Sequence, residues 1–277
     1  MFSSGAFSIT TVDSAVLISP EKCSDPVQSS TIEERIRWLL AGGTKPQAIA
    51  VVSFTRASAL DLQYRIRSYC AKHNQPDADK VSTTTLHSLA LRILRRAGLL
   101  AFYPVNPLVL DDWELENIYD SEFGYAQRIL SKQRREAIRR FYEARWSTGI
   151  DNAPTYVPPK SPITPQEQTR FQAFHEPTAK VYSCVLPGEI VRKCVDATLS
   201  GTLNSVQLLS LQHLVVDEYQ DLNPSDLQFI DLLAAEGVTV FVAGDDDQSI
   251  YSFRHASPEG IQRFPEKYPR AKIKILN

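Results

Sequence analysis

The segment from Leu214 to Ala256 constrains this chain more than any other. It reads LVVDEYQDLNPSDLQFIDLLAAEGVTVFVAGDDDQSIYSFRHA. Two short apolar runs, Leu214-Val215-Val216 and Val238 to Ala243, each end in an acidic, glutamine-bearing cluster: Asp217-Glu218 with Gln220, and Asp245-Asp246-Asp247 with Gln248. Such runs bounded by polar residues predict buried strands of a parallel α/β sheet, and ligand-binding groups collect at the carboxyl ends of such strands. There, one carboxylate of an Asp-Glu pair can hold Mg²⁺ through water while the other orients or deprotonates an attacking water. The continuation Ser249 to Arg254 interleaves Tyr251 and Phe253 with a cation, a mixture suited to stacking on bases and meeting phosphate.

Strands and helices alternate elsewhere too. Strands are expected near 15–19, 48–53, 81–84, 213–217 and 238–243, forming one mainly parallel sheet with helices on both faces and the motif loops at its carboxyl edge. A polar loop from Pro20 to Ser30 is expected before a helix whose Ile32, Ile36, Leu39 and Leu40 share a face, stopped by Gly42-Gly43. The next helix, Ala57 to about Ala71, is expected to turn Leu60, Tyr64 and Ile66 inward. Another, Leu86 to Ala97, can be closed by a left-handed Gly98. Asn223 can cap a helix with Pro224 in its first turn and Leu227, Ile230 and Ala234 on one face.

The pattern changes between about Leu99 and Leu186. Trp113 to Tyr125 and Tyr125 to Trp146 read as helices and Ser147 to Pro165 as a loop; alternation resumes after a helix over Gly188–Leu199. Residues Arg128 to Arg145 carry seven basic and two acidic side chains. This run is either a solvated helix face or a surface for a phosphate backbone. Net charge is −2, so any nucleic-acid affinity must come from such local patches. The four cysteines, Cys23, Cys70, Cys184 and Cys194, show no metal-ligand spacing and read as core thiols of a reducing compartment. With no run of 18 apolar residues and no signal-type start, the expectation is an intracellular protein with no membrane partner.

The spacing of VDEYQDLN and AGDDDQSIYSFRHA resembles motifs II and III of superfamily 1 helicases of the UvrD/Rep/PcrA type. Val51 to Ala57 is similar to motif Ia, and STTTLHS at Ser82 to Ser88 is similar to motif Ib, with Leu86 in place of an aromatic. Leu186-Pro187-Gly188-Glu189 is also family-like. The resemblance implies a RecA-like domain, of P-loop NTPase type, over residues 1–98 and 187–277, with a helical subdomain inserted over 99–186. It implies ATP and Mg²⁺ as cofactors: Asp217 for the ion, through water, Glu218 for activating the attacking water, and Gln248 for sensing the γ-phosphate. It implies single-stranded DNA or RNA along Phe54, Thr55, Arg56, Thr85, His87, Tyr251 and Phe253, with Arg254 near the DNA or the nucleotide.

Two departures bear on chemistry. The family's phosphate loop, G-x-x-x-x-G-K-[ST], is replaced by SPEKCSDPVQSST, which contains no glycine. Counting back from Arg35-Ile36 puts Gln28 at the lysine position and Ser29 at the Mg²⁺-binding hydroxyl, with Pro26 and Val27 where glycines would let backbone N–H groups wrap phosphates. The resemblance implies a degenerate nucleotide-binding set of Gln28, Ser29, Arg35 and Arg254. Ile275-Leu276-Asn277 resembles the start of motif IV, L-x-x-N-Y-R, and the chain stops before its arginine; the second RecA-like domain is expected to be missing. Three readings stay open: a helicase ATP-binding domain protein or fragment defective in hydrolysis and unwinding; a non-enzymatic module binding single-stranded nucleic acid weakly or a protein partner, such as the missing C-terminal half; and the product of a damaged helicase gene.

Overall fold

Alternating side chains along the central strands divide the molecule into layers. The structure, a computed structural model, describes residues 26–101, 103, 107–149, 161–186, 188–244, 263–269 and 271–272. The strand expected at 15–19, the loop from 20 to 25, and Gln248, Tyr251, Phe253 and Arg254 lie outside the described residues. The strands are β1 (Ile49–Ser53), β2 (Ser82–Thr85), β3 (Leu108–Val109), β4 (Cys184–Val185), β5 (His213–Val216) and β6 (Thr239–Val242). A four-stranded parallel sheet runs β2-β1-β5-β6, and β3 pairs with β4 separately. The chain winds outward from β1 to β2 and later returns to β5 and β6 on the other side. Between β1 and β5 the winding direction therefore changes, the usual ligand position in open α/β sheets.

Odd and even strand residues go to opposite cores. Ile49, Val51, Val215 and Phe241 join Ile32, Ile36, Leu62 and Ile66 from helices α1 (Pro26–Ala41) and α2 (Arg56–Lys72). Ala50, Val52, Leu214, Val216, Val240 and Val242 face a larger cluster. That cluster includes α3 (Leu86–Arg96) and, further along the chain, helices at Glu189–Leu199 and Pro224–Ala235. Period-two alternation on a sheet covered on both faces produces this three-layer α/β arrangement.

The intervening segment adds α4 (Asp112–Glu114), a π turn (Leu115–Tyr119), α5 (Asp120–Gln127), α6 (Lys132–Thr148) and α7 (Pro165–Tyr182). These share a cluster of their own, with Phe123, Ile138, Tyr142 and Phe171 at its centre. Then follow α8 (Glu189–Leu199), α9 (Ser205–Leu209), α10 (Pro224–Ala235) and α11 (Phe264–Lys267). Gly98 is left-handed at φ 71° after α3, and Asn223 caps α10 in a reciprocal capping box with Asp226, as the sequence predicts.

Four expectations need correction. Helix α1 starts at Pro26, so Pro26 to Ser30 are helical rather than loop; proline's fixed φ suits a first helical position. On α2 the buried residues are Ala59, Leu62, Ile66 and Cys70, whereas Leu60 and Tyr64 are 67% and 72% exposed. The 3-4-4 spacing, not apolarity alone, selects the inward face. The two helices expected to meet at Tyr125 are separated at Arg128, left-handed at φ 55°. Helix α7 has no counterpart among the expected elements; it carries Pro177 inside it, where proline removes a helix hydrogen bond.

The basic run on α6 is also partly committed. Arg139 is buried and donates to Asp120 (2.9 Å) and Glu143 (2.6 Å). Arg134 grips Glu167 through two bonds, 2.7 and 2.6 Å, and reaches the Pro162 carbonyl. These two cations hold the helices of the segment together. No described helix is long and apolar enough to cross a membrane.

The facing of α2 is testable by paired truncation. Leu62→Ala is expected to cost about 2–5 kcal/mol in urea unfolding, while Leu60→Ala stays within about 0.5 kcal/mol. Equal costs would mean the helix is rotated from the orientation described.

Candidate active site and nucleic-acid interface

The acidic pair is held by backbone pairing that continues past the strand ends. Val52 pairs in register with Val216, and the next amide, Asp217 N–H, donates to the Val52 carbonyl at 2.9 Å. Ala243 N–H donates to Val216 O (2.8 Å) and Tyr219 N–H to Ala243 O (3.0 Å). The loop after β5 is therefore pinned between the ends of β1 and β6. Tyr219, 1% exposed, anchors it further by packing edge-on against Phe264 at 5.5 Å.

Asp217 is 8% exposed, and Ser53 Oγ donates to its Oδ2 at 3.4 Å. Burial pushes its carboxyl up to about 7; the Glu218 charge adds to the shift, and Arg65 on α2 and the Ser53 bond oppose it. Glu218 adopts φ 53°, ψ 47°, a left-handed conformation unusual for a non-glycine and found where function requires an awkward backbone. Gln220 Nε2 donates to Glu218 Oε2 at 2.7 Å and so fixes the carboxylate. Asp221 is buried, with Oδ1 unpartnered; burial, then the Glu218 charge, lifts it to about 6. Its protonated form relieves the cost of an unpaired buried oxygen. Among the described residues, no group of three or more His, Cys, Asp and Glu could hold a metal ion.

Beside this loop, two helices begin in the same way. Thr55 follows β1 and caps α2, its Oγ1 accepting from Ser58 N at 3.0 Å and lying 2.7 Å from Ser58 Oγ. Thr85 ends β2 and caps α3, accepting from Ser88 N at 3.2 Å and lying 2.9 Å from Ser88 Oγ. Ser53 pairs with Thr85 in register, so both N-termini open on one sheet edge. Repeated T-x-x-S capping gives adjacent helix dipoles with positive ends side by side, a setting that favours anions. Arg56 is exposed, and Phe54 and His87 are half-buried. His87 lies close enough to the buried Asp226 to oppose the upward push of burial on that carboxyl. Leu86 is only 4% exposed and packs into the larger core.

The structure thus brings Asp217, Glu218, Phe54, Thr55, Arg56, Thr85 and His87 to the carboxyl edge of one sheet. Gln28 and Ser29 fall in the first turn of α1. Arg35 does not join the acidic pair. Its guanidinium lies 4.6 Å from the Trp38 ring centroid and 5.8 Å from that of Phe241, and it acts on His213, the first residue of β5. His213 and Asp217 stand four residues apart, roughly 13 Å along a strand. Ser53, Gln220 and Asp221 join this site without having been singled out for a role in it by the sequence. Gln220 and Asp221 were visible only as neighbours of the pair, and Ser53 enters through strand register.

The family model for the UvrD/REP helicase N-terminal domain matches residues 28–184 and 195–269. DNA helicase II of Haemophilus influenzae is 26% identical over 262 residues, covering 90% of this chain and 34% of that protein. ATP-dependent DNA helicase Rep of Buchnera aphidicola is 25% identical, covering 83% of this chain and 35% of its own length. ATP-dependent DNA helicase PcrA of Leuconostoc citreum is 28% identical, covering 83% and 30%. The chain spans about a third of the length of these relatives.

The buried carboxyls make stability pH-dependent in metal-free protein. From an ordinary 3.8, Asp217 rises to about 7 and Asp221 to about 6. The folded state therefore keeps protons that the unfolded chain has released. Their contribution is full below the unfolded value and is lost as pH climbs through 6 and 7. In EDTA, urea midpoints are expected to fall across this window, and Asp217→Asn to flatten most of the fall. A wild-type midpoint that stays level throughout would contradict a protonated, buried Asp217.

Proposed function

The chain belongs to the UvrD/REP helicase N-terminal domain family, and we propose that it is a helicase-type ATP-binding domain that binds single-stranded nucleic acid along its carboxyl sheet edge but hydrolyses ATP poorly by itself. The observation carrying this reading is the convergence of the Asp217-Glu218 loop and the Thr55- and Thr85-capped helices on one edge. Phosphates of a strand suit the two helix N-termini and Arg56, and Phe54 offers a ring for a base. The relatives' printed names, ATP-dependent DNA helicases, favour DNA as the polymer.

Mg²⁺ fits the chemistry of the acidic pair. A divalent cation near Asp217 would offset the cost of ionising a buried carboxylate, with waters and phosphate oxygens completing its shell. When bound, it would neutralise charge on the phosphates. Glu218, held by Gln220, would be the group that accepts a proton from water.

ATP fits less well. Phosphoryl transfer depends on positioning and on charge stabilisation of the phosphates. At the start of α1, Pro26 lacks an N–H, Val27 resists positive φ, and Gln28 brings no charge where the family carries lysine. Loss of a single preorganised donor costs about 10²–10³ in rate, so several losses together leave little turnover.

Phosphate release by the purified chain is expected to remain at background with single-stranded DNA and Mg²⁺ present. Gln28→Lys alone is not expected to raise it, because Pro26 and Val27 still oppose a phosphate-wrapping loop. DNA-stimulated release that disappears in Glu218→Gln would overturn the hydrolysis reading.

Binding of a labelled single strand, followed by anisotropy, is expected at micromolar affinity or weaker, on the order of 10⁻⁶–10⁻⁴ M. Arg56→Ala is expected to lower the salt dependence by about one unit of slope, as for a lost phosphate contact. Tyr251→Ala with Phe253→Ala is expected to weaken binding at every salt concentration. Unchanged affinity and slope in both variants would remove these residues from the interface.

A further inference from the structure

The acidic loop and the capped helices leave one large feature unused. Between α6, α7 and α8 lies a cavity of about 610 Å³, within the range that small ligands occupy. One wall is a pile of rings. Tyr142 and Phe171 stack at 4.3 Å and 16°, and Phe171 and His175 at 5.5 Å and 13°. Trp146 lies across them, 5.8 Å from Tyr142, 6.4 Å from Phe171 and 5.5 Å from His175, tilted by 44–50°. The three stacked rings are buried, and Trp146 alone is half-exposed on the cavity.

This wall is rigid. His175 Nδ1 bonds Tyr119 Oη at 2.8 Å, and Nε2 bonds Glu189 Oε1 at 3.1 Å. Glu189 in turn accepts from Leu186 N at 3.0 Å and pairs with Lys193 at 3.2 Å. Trp146 packs against rings held in this way, and a rigid aromatic surface loses little conformational entropy when a planar ligand stacks on it. Cations gather at the cavity: Arg145, Lys180, Arg192 and Lys193 line it, with Glu176 and Asp196 as the acidic residues besides the already bonded Glu189. Arg192 pairs with Asp196 and Lys193 with Glu189, so the four cations exceed the three carboxylates by one charge, in a chain of net charge −2. Gly149, at φ 73°, leaves room for the end of the Arg192 side chain, since a Cβ there would stand 2.7 Å from its Nη1.

We propose that this cleft binds a nucleotide, its base stacked on Trp146 and its phosphate on the Lys180–Arg145 side of the rim. The nucleotide has two sources, a free mononucleotide or one residue of a bound strand. The position of the cleft favours the strand. Ser225 Oγ donates to the Trp146 carbonyl at 2.5 Å, and the next residue, Asp226, is the carboxylate that senses His87. Ser225 and Asp226 are buried, so these contacts set the cleft and the Thr85-capped helix on either side of the start of α10 without themselves forming the strand's path. The strand source rests on the nucleic-acid reading of the sheet edge; the mononucleotide source does not.

Of the three tryptophans, Trp38 and Trp113 are exposed, so Trp38→Phe with Trp113→Phe leaves Trp146 as the sole indole of the full chain. Its fluorescence is titrated with deoxyadenosine monophosphate and with a short and a long oligodeoxyadenylate. Anisotropy of labelled strands reports binding anywhere on the protein. Quenching is expected with the long strand and weakly or not at all with the short one. Arg145→Glu with Lys180→Glu is expected to raise the apparent Kd about tenfold, as when one charge-assisted contact is lost, with circular dichroism and the unfolding midpoint unchanged. Quenching by the mononucleotide with the same sensitivity assigns the cleft to free nucleotide. Strand binding without Trp146 quenching, or quenching indifferent to the charge reversals, overturns the cleft and leaves the sheet-edge reading standing. Mononucleotide quenching with no strand binding does the reverse, and silence in both signals removes both.

Discussion

The amide of Asp217 donates to the Val52 carbonyl, one residue beyond the last registered pair of β1 and β5. That bond and its counterpart from Tyr219 to Ala243 fix a loop that would otherwise be a free strand-to-helix connection. With both ends of the acidic pair held, Glu218 takes a left-handed backbone and Asp217 stays buried next to Ser53. The strain and the desolvation are both costs, and only a sheet buried on two faces provides a frame stiff enough to impose them. The site's electrostatics therefore follow from the sheet's register.

The same register sets out the neighbouring surface. Because β1 and β2 are parallel and paired through Ser53 and Thr85, the helices that follow them start side by side. Each threonine turns inward to cap its own helix, so the positive helix ends, rather than the threonine hydroxyls, are what the edge presents to an anion. Leu86 shows how local identity and role separate. Where the family pattern has an aromatic, this chain's leucine serves the core, leaving His87 as the half-buried polar group at that turn.

The helical segment between β2 and β5 is built on a different principle. It is organised around aromatic rings and a buried guanidinium, not around strand alternation. Arg139 between Asp120 and Glu143 is costly to desolvate, and removing it would leave the buried Asp120 and the partly buried Glu143 carboxylates without their shared cation. The segment meets the sheet-bearing part through the end of α6, whose Trp146 carbonyl accepts from Ser225 at the start of α10. Since α10 begins where the acidic loop ends, a displacement of α6 would bear on the start of α10, next to that loop.

The sequence by itself determined the elements whose cause is local. Strand alternation, the Asn223 cap, the left-handed Gly98 and the acidic pair after β5 depend on periodicity and near-neighbour chemistry, and each is present in the fold. Of the three loops expected to meet at the carboxyl edge, the Asp217–Asp221 loop is there, Pro26 to Ser30 are helical, and Gln248 lies outside the described residues. Tertiary structure decided the rest. Leu60 and Tyr64 face outward because the neighbouring Ala59, Leu62 and Ile66 fill the packed stripe. The basic run on α6 divides into surface charges and internal clamps according to which carboxylates lie opposite, residues distant in sequence. Arg35 lies over the Trp38 and Phe241 rings, since a helix position fixes distance along its axis and not which neighbours it finds. The Asp217 carboxyl is pushed up to about 7 first by burial under two strands and a loop and then by the Glu218 charge, and desolvation is a property of the assembled fold that no residue carries alone.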